Sequence, residues 1–317
     1  MTAQWSGQGL PPVAQSRLDE IKASGTWGSA LTTDEFAAIK SGGFDPVGQV
    51  LGAAVYNMGY QGTYGCPSGM RFGSYNRVQP RWQPGYTSLS SERGALYAPM
   101  VQTMYAARRK AISRMVEECA ALGGHGVVGV RLTIRRFQAG SSALEFNAIG
   151  TAVRAAGAPP LRRPFTSDLS GQDFAKLIAD GVVPVGLVLG ISIGVRHDDW
   201  MTRSQTRWTA GNTEVGGYTE LVSMTRHDAR NELQQDVLRH GAEGVVIQSM
   251  DLRVGERECQ AQEGARDHIA EATIIGTAIV HFTKSAHGAE RPSLAILSLD
   301  PERRQAARRS VNRGISN

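Results

Sequence analysis

The chain contains 317 residues, of which 41% are hydrophobic and 20% are charged, and it carries a formal net charge of +5. This composition is that of an ordinary globular protein, and the length leaves room for two domains with separate cores. No apolar run reaches the roughly 18 residues that a membrane-spanning helix needs, and the first residues lack the basic and apolar regions of a secretory signal. Three cysteines without a CxxC pair favour a reducing compartment, so we expect a cytoplasmic protein.

The positive charge is concentrated near the C-terminus. Five arginines and one glutamate lie between Pro301 and Asn317, so the rest of the chain is close to neutral. We therefore predict a basic tail over residues 284–317 and expect no nucleic-acid binding by the folded part.

The first predicted domain covers residues 31–155 and follows an N-terminal extension of residues 1–30. A short helix begins near Thr33, and glycines and a proline end it. A Val- and Leu-rich strand over residues 47–58 comes next. A loop rich in aromatic residues and arginine follows over residues 60–97.

A long helix completes the main features of this domain. Apolar residues recur every three or four positions from Met100 to Leu122, with Pro99 at the start and a glycine pair at the end. Two strands are predicted after it, over residues 126–137 and 144–153. The order is therefore helix, then β-α-β-β.

The second predicted domain covers residues 167–283 and has the same order of elements. A linker over residues 156–166 precedes it, and an acidic loop over residues 255–268 separates its last two strands. The remaining predicted elements are a helix ending at Gly181, a strand over 185–195, a helix ending at Gly241, and strands over 244–254 and 270–281.

The two domains share sequence as well as order. Phe36–Gly52 reads FAAIKSGGFDPVGQVLG and Phe174–Gly190 reads FAKLIADGVVPVGLVLG, with a shift of 138. Later, a Gly-Thr-Ala segment beginning at Gly150 recurs at Gly276. We predict an α+β protein of two tandem units, in which one long helix packs on a small, mainly antiparallel sheet. One helix leaves much of such a sheet uncovered, so we expect pairing of the units or a homo-oligomer.

Several of these segments resemble the YbjQ-type heavy-metal-binding domain family. The first unit is most similar to its actinobacterial branch, through GVVGVRL at Gly126–Leu132 and EFNAIGTAVR at Glu145–Arg154. The second unit carries Tyr218-Thr219-Glu220-Leu221 and the repeated Gly-Thr-Ala. The resemblance implies two dodecin-like units that assemble into pentamer-like or pseudo-symmetric rings, and it makes a divalent transition metal the nominal cofactor.

Metal ligands would be Cys, His and carboxylate side chains that converge. The acidic loop offers such a mixture in Glu256, Cys259, Glu263 and His268. A solvated acidic loop is the competing interpretation. Cys119 lies on the apolar stripe of the long helix, so we expect it in the core.

Some polar residues recur in both units and are candidates for ligand-binding or inter-subunit pairs. They are Arg108, Glu145 and Thr151 in the first unit and Arg226, Glu271 and Thr277 in the second. A carboxylate on a half-buried strand needs a partner, and the arginine of the same unit is the obvious candidate. The competing interpretation is a structural salt bridge.

The aromatic loop and a shorter segment of the second unit combine aromatic rings with arginine, a chemistry typical of protein interfaces. The candidate partner-binding residues are Tyr64, Phe72, Tyr75, Arg77, Arg81, Trp82, Trp200, Arg207 and Trp208.

No sequence motif of a known catalytic class is present, so we predict a protein that is not an enzyme. The main hypothesis is an oligomeric binding or scaffold protein of the heavy-metal-binding family. Two alternatives remain open. One is a ring-shaped carrier of a small ligand, held near Arg108 and Glu145 or Arg226 and Glu271. The other is a structural protein that binds a partner through the aromatic loop and the basic tail.

Overall fold

The computed structural model describes residues 5–7, 9–26, 28–57, 85–93, 95, 97–136, 143–159, 161, 163–258 and 266–282. Most of the aromatic loop, the tip of the acidic loop and the basic tail lie outside these residues. No helix in the described part of the chain is long and apolar enough to cross a membrane.

The protein is built from helices and mainly antiparallel strands, which confirms the α+β class. The helices are α1 (Pro12–Ser24), α2 (Thr33–Ser41), α3 (Ala98–Ala121), α4 (Gly171–Ala179), α5 (Trp200–Gln205) and α6 (Gly216–Arg239), with a 3-10 turn at Trp208–Ala210. The strands are β1 (Phe44–Asn57), β2 (Thr87–Leu89), β3 (Gly126–Arg136), β4 (Ala143–Ala155), β5 (Phe165–Thr166), β6 (Val182–His197), β7 (Gly244–Glu258) and β8 (Arg266–His281).

The elements form two four-stranded sheets. The first sheet has the strand order β1-β4-β3-β5, and the second has the order β2-β6-β8-β7. β4 lies between β1 and β3 in the first sheet, and β8 lies between β6 and β7 in the second. Each of these central strands is antiparallel to both of its neighbours. We call the part from α2 to β4 the first half and the part from α4 to β8 the second half.

The register irregularities also recur. β1 and β4 shift between Pro46 and Gly48, and β6 and β8 shift between Pro184 and Gly186. A proline cannot donate to a strand ladder, so each proline lies at an interruption of it. The two halves thus share their strand order and the position of this irregularity in the sequence.

The long helix of each half approaches its own sheet very closely. A Cβ atom on Gly52 would overlap the backbone of Ala111 on α3, and a Cβ on Gly190 would overlap the backbone of Ala229 on α6. Both pairs lie at matching positions of the two halves. Glycine at these strand positions is therefore what lets each helix lie down on its sheet.

We call the opposite face of each sheet its outer face. The outer face of the second sheet is not open, because its residues join the core around α3. Ile191, Ile193 and Val195 are buried in the same cluster as Met104 and Ala111. The Tyr105 hydroxyl of α3 also accepts a hydrogen bond from the Ile191 N–H at 2.8 Å. The two halves therefore pair within one chain.

The halves also exchange short segments. β5 runs parallel to β3, at Gly126 and Val127, although it leads into the second half. β2 pairs with β6 of the second sheet, although it lies in the first half of the sequence. Both short strands satisfy backbone groups at a sheet edge that would otherwise be unpaired.

Some predicted loops contain regular structure. β2 forms within the predicted loop of residues 60–97, β5 ends the predicted linker, and α1 lies in the predicted N-terminal extension. The prediction of a loop over 255–268 is wrong at both ends, because β7 continues to Glu258 and β8 begins at Arg266. These short or polar elements have weak periodicity and depend on pairing with distant residues.

Candidate functional site

The threonine of each Gly-Thr-Ala segment forms hydrogen bonds with the residues that come just before the first helix of its half. We call these residues, 28–31 and 166–169, the entry segments. The Thr151 hydroxyl lies 3.2 Å from the Ser29 hydroxyl and accepts from the Ala30 N–H at 3.2 Å. The Thr277 hydroxyl lies 3.1 Å from the Ser167 hydroxyl and accepts from the Asp168 N–H at 3.1 Å. Both threonines are completely buried, and their role in the structure is to fix these entry segments.

The second of these sites contains a further carboxyl group. Thr277 donates a hydrogen bond to the Asp168 side chain. Burial raises the pKa of the Asp168 carboxyl, against the effect of the Thr277 hydrogen bond. The matching residue of the first half is Ala30, so the first site lacks this acidic group.

Arg108 lies on α3, where it is buried and faces the second sheet. Its Nε and Nη1 atoms have no hydrogen-bond partner among the described residues. Burial lowers the pKa of Arg108 to about 10, and the attraction of the Glu271 carboxylate opposes this shift. The carboxylate whose charge acts on Arg108 therefore lies in the other half of the chain.

The predicted pairing of charges within each half does not occur for Arg108. Glu145, its expected partner, lies half-buried on the outer face of the first sheet, opposite Val55. Arg226, the match of Arg108 on α6, is exposed. The reason is that Arg108 and Arg226 lie on the side of their long helix that faces away from the sheet of the same half. Each arginine can therefore contact only a group that packs on that side of the helix.

A polar cluster lies at one end of the second sheet, where β6 ends and β8 begins. His268 Nδ1 lies 3.2 Å from Asp198 Oδ1, and His268 Nε2 lies 3.5 Å from Glu256 Oε2. The Tyr218 hydroxyl donates to Asp198 Oδ2 at 3.2 Å, and its ring lies 4.2 Å from the His268 ring. Burial and the Asp198 charge raise the pKa of Tyr218 to about 12.

A second buried pair lies beside this cluster. His197 Nδ1 is 2.8 Å from Asp267 Oδ1, and Arg257 lies 3.4 Å from the other oxygen of the same carboxylate. The register of β6 and β8 places Arg196 opposite His268 and His197 opposite Asp267. His197 and Asp198 were not among the residues predicted from the sequence, although the similar stretches RHD and RDH were a visible signal.

Of the four predicted metal ligands, the structure brings together Glu256 and His268. Cys259 and Glu263 lie outside the described residues. Within the described part of the chain, no group of three or more His, Cys, Asp or Glu side chains could hold a metal ion. Since structural zinc takes four ligands, the described residues do not fit a complete metal site on their own.

The described aromatic candidates lie at the surface. Trp200, Arg207 and Trp208 are exposed, around α5 and the turn that follows it. The remaining candidates, Tyr64, Phe72, Tyr75, Arg77, Arg81 and Trp82, fall outside the described residues.

Comparison with known proteins places the chain in a family. The family model described as "Putative heavy-metal-binding", of the YbjQ type, matches residues 84–156. A Mycobacterium tuberculosis protein named as an encapsulin nanocompartment protein is 37% identical over 243 residues, which cover 75% of this chain and 81% of the relative. The chain therefore belongs to the YbjQ-type family, and its mycobacterial relative agrees with the actinobacterial branch.

Proposed function

We propose that the chain is a non-catalytic scaffold protein that assembles with copies of itself. The observation that carries this proposal is the pairing of the two halves. The second sheet buries its outer face against the first half, while Leu51 and Val55 on the outer face of the first sheet stay exposed. An apolar sheet face that is covered in one half and open in its match is a natural docking surface.

The family and the relative support the same proposal. The halves share strand order, irregularities and helix contacts, which favours two tandem copies of one dodecin-like unit. The mycobacterial relative bears the name of a nanocompartment protein, so we propose that this chain works as a component of such a protein assembly. A pentamer-like or pseudo-symmetric ring is the simplest closed arrangement of such units.

The proposal is tested by the mass of the native protein. Light scattering after gel filtration, over a range of protein concentrations, should give a mass well above the 34.1 kDa of one chain. A protein that remains at the mass of one chain at the highest concentration would contradict self-assembly. Native mass spectrometry of the same sample would give the number of subunits.

Metal binding is the second candidate, because Glu256 and His268 lie close together and flank in sequence the predicted ligands Cys259 and Glu263. We propose that any further ligand comes from residues 259–265. Elemental analysis and titration with zinc, copper and nickel test this idea. Binding that is lost in both His268→Ala and Cys259→Ser, but kept in a Cys119→Ser control, would support it. The absence of binding tighter than about micromolar would argue against it.

A further inference from the structure

The contact between the halves implies a matching contact between chains. We propose that two copies of the chain dock through the same kind of contact that joins the two halves within one chain. In this contact, α6 and the β7 edge of one copy pack on the outer face of the first sheet of the next copy, so that Arg226 of one copy faces Glu145 of the next. This inference rests on the proposed self-assembly and specifies the two surfaces that carry it.

The internal contact uses two features of each half. The first half contributes α3 and the edge of β3 that does not pair with β4. The second half contributes the outer face of its sheet and its entry segment, residues 166–169. This segment follows the β3 edge through bonds from Ser167 N to Val127 O at 2.8 Å, from Val130 N to Ser167 O at 2.9 Å and from Gly129 N to Leu169 O at 3.0 Å.

Both features have an unused counterpart. On the outer face of the first sheet, Leu51 is 36% exposed and Val55 is 50% exposed. Their matches on the second sheet, Leu189 and Ile193, are each 3% exposed. The difference arises because the second sheet has the first half packed on it and the first sheet has no such cover from the described residues.

The edge of β7 is the counterpart of the edge of β3. β7 ends the strand order of the second sheet, and most of its residues are exposed. Gly126 on β3 has the Phe165 ring lying where a Cβ would be, whereas at the matching Gly244 only the Ile279 side chain comes within 4 Å. The space that a neighbouring segment fills on β3 is therefore not filled by described residues on β7.

The segment that would fill it already has the required form. Residues 28–31 are held by Thr151 as residues 166–169 are held by Thr277. Leu31 N bonds to the Ser29 hydroxyl at 3.1 Å, and Leu169 N bonds to the Ser167 hydroxyl at 3.2 Å. The entry segment and the outer sheet face of the first half thus form the same kind of surface as those of the second half. Within the chain the second half uses this surface to bind the first half, and in the proposed contact the first half uses its own to bind a second copy.

The charges agree with this arrangement. Inside the chain, Arg108 of α3 is attracted to Glu271 on the outer face of the second sheet. The matching residues, Arg226 and Glu145, lie on the two surfaces that the described residues leave uncovered. Docking would bring these opposite charges together in the same way, which explains why both arginines and both glutamates occur.

The contact between copies should be weaker than the one within the chain. The outer face of the second sheet carries Leu187 and Ile191, where the first sheet has Gln49 and Ala53. A smaller apolar area and the contribution of an ion pair favour a reversible association that weakens at high salt. Because the contact is head to tail, it produces a ring where the rotation closes.

Charge exchange provides the decisive test. We expect Arg226→Glu and Glu145→Arg, each alone, to weaken association at least about tenfold in light-scattering or sedimentation experiments, since like charges would then face each other. The double variant should recover most of the association. A wild-type protein that assembles while both single variants assemble equally well would overturn this interface and leave self-assembly standing. A monomeric wild-type protein would overturn both proposals.

A steric test needs no change of charge. Gly244→Val should block docking on β7 without lowering the thermal unfolding temperature, because among the described residues a Cβ at this position meets only the Ile279 side chain, at an ordinary contact distance of 3.5 Å. Gly255→Val is the matched control, since it lies on the same strand beyond the predicted footprint and has no atom within 4 Å. Equal assembly of the Gly244 variant and its control would contradict the proposed docking on β7.

Discussion

Ser167 and Thr277 join their hydroxyl groups at 3.1 Å, and this contact links the two halves. Ser167 makes backbone hydrogen bonds with β3 of the first half, whereas Thr277 belongs to β8 of the second. The same pair of groups recurs as Ser29 and Thr151. A local capping interaction thus serves as the attachment point for a neighbouring half.

Replacing Thr277 with valine should therefore destabilise the protein. The valine keeps the shape but removes the acceptor of the Asp168 N–H and the donor to the Asp168 carboxyl, leaving buried polar groups without partners. We expect a loss of about 1–3 kcal/mol in the free energy of unfolding, measured by urea denaturation. Thr273→Val, on the same strand, is the control. Equal stability of the two variants would show that the Thr277 hydroxyl is not needed.

The close approach of α3 to β1 predicts a large effect at Gly52. In Gly52→Ala, the added Cβ would overlap the backbone of Ala111, which cannot move without displacing the helix. We expect a loss of about 3 kcal/mol or more. Gly255→Ala, with open space around it, should change stability by less than about 1 kcal/mol. Calorimetric unfolding of both variants compares them, and a fully stable Gly52→Ala protein would show that the helix can lift off the sheet.

Glu118 should act mainly as a hydrogen-bond acceptor. Its Oε2 atom accepts from the Leu51 N–H at 2.8 Å and pairs with Arg17 of α1. Burial raises the pKa of its carboxyl, so the charged form gains little from the fold. Glu118→Gln should cost less stability than Glu118→Ala, for which we expect about 1–3 kcal/mol. If both variants lost stability equally, the charge and not the acceptor would be the important property.

The Cys119 thiol should be unreactive in the folded protein. It is completely buried on α3, and burial raises its pKa to about 12. Because the thiolate is the nucleophile, a Cys66→Ser/Cys259→Ser variant should react with a thiol reagent at pH 8 only after denaturation. The rate in the native state should rise with pH up to about 12, which spectrophotometric titration can follow. Rapid native reaction at pH 8 would mean that this part of α3 opens.

Much of the fold could be predicted from local patterns in the sequence. The apolar residues that recur along α3, and the repeated FAAIKSGG and FAKLIADG segments, predict helix, strand and repeat directly, since side-chain periodicity follows from backbone geometry. The site was harder to predict. Glu256 and His268 are near in sequence and do meet, whereas Asp198 joins them only through the register of β6 and β8.

The sequence by itself predicted two matching α+β units, and it identified Arg108, Arg226, Glu145 and Glu271 as matched charges. Only the tertiary structure decided their pairing. Arg108 lies near Glu271 because α3 packs on the outer face of the second sheet, and no local pattern encodes which distant surface a helix will cover. Among the described residues, the tertiary structure likewise leaves Arg226 exposed and Glu145 half-buried, since neither α6 nor the outer face of the first sheet has a second half packed on it.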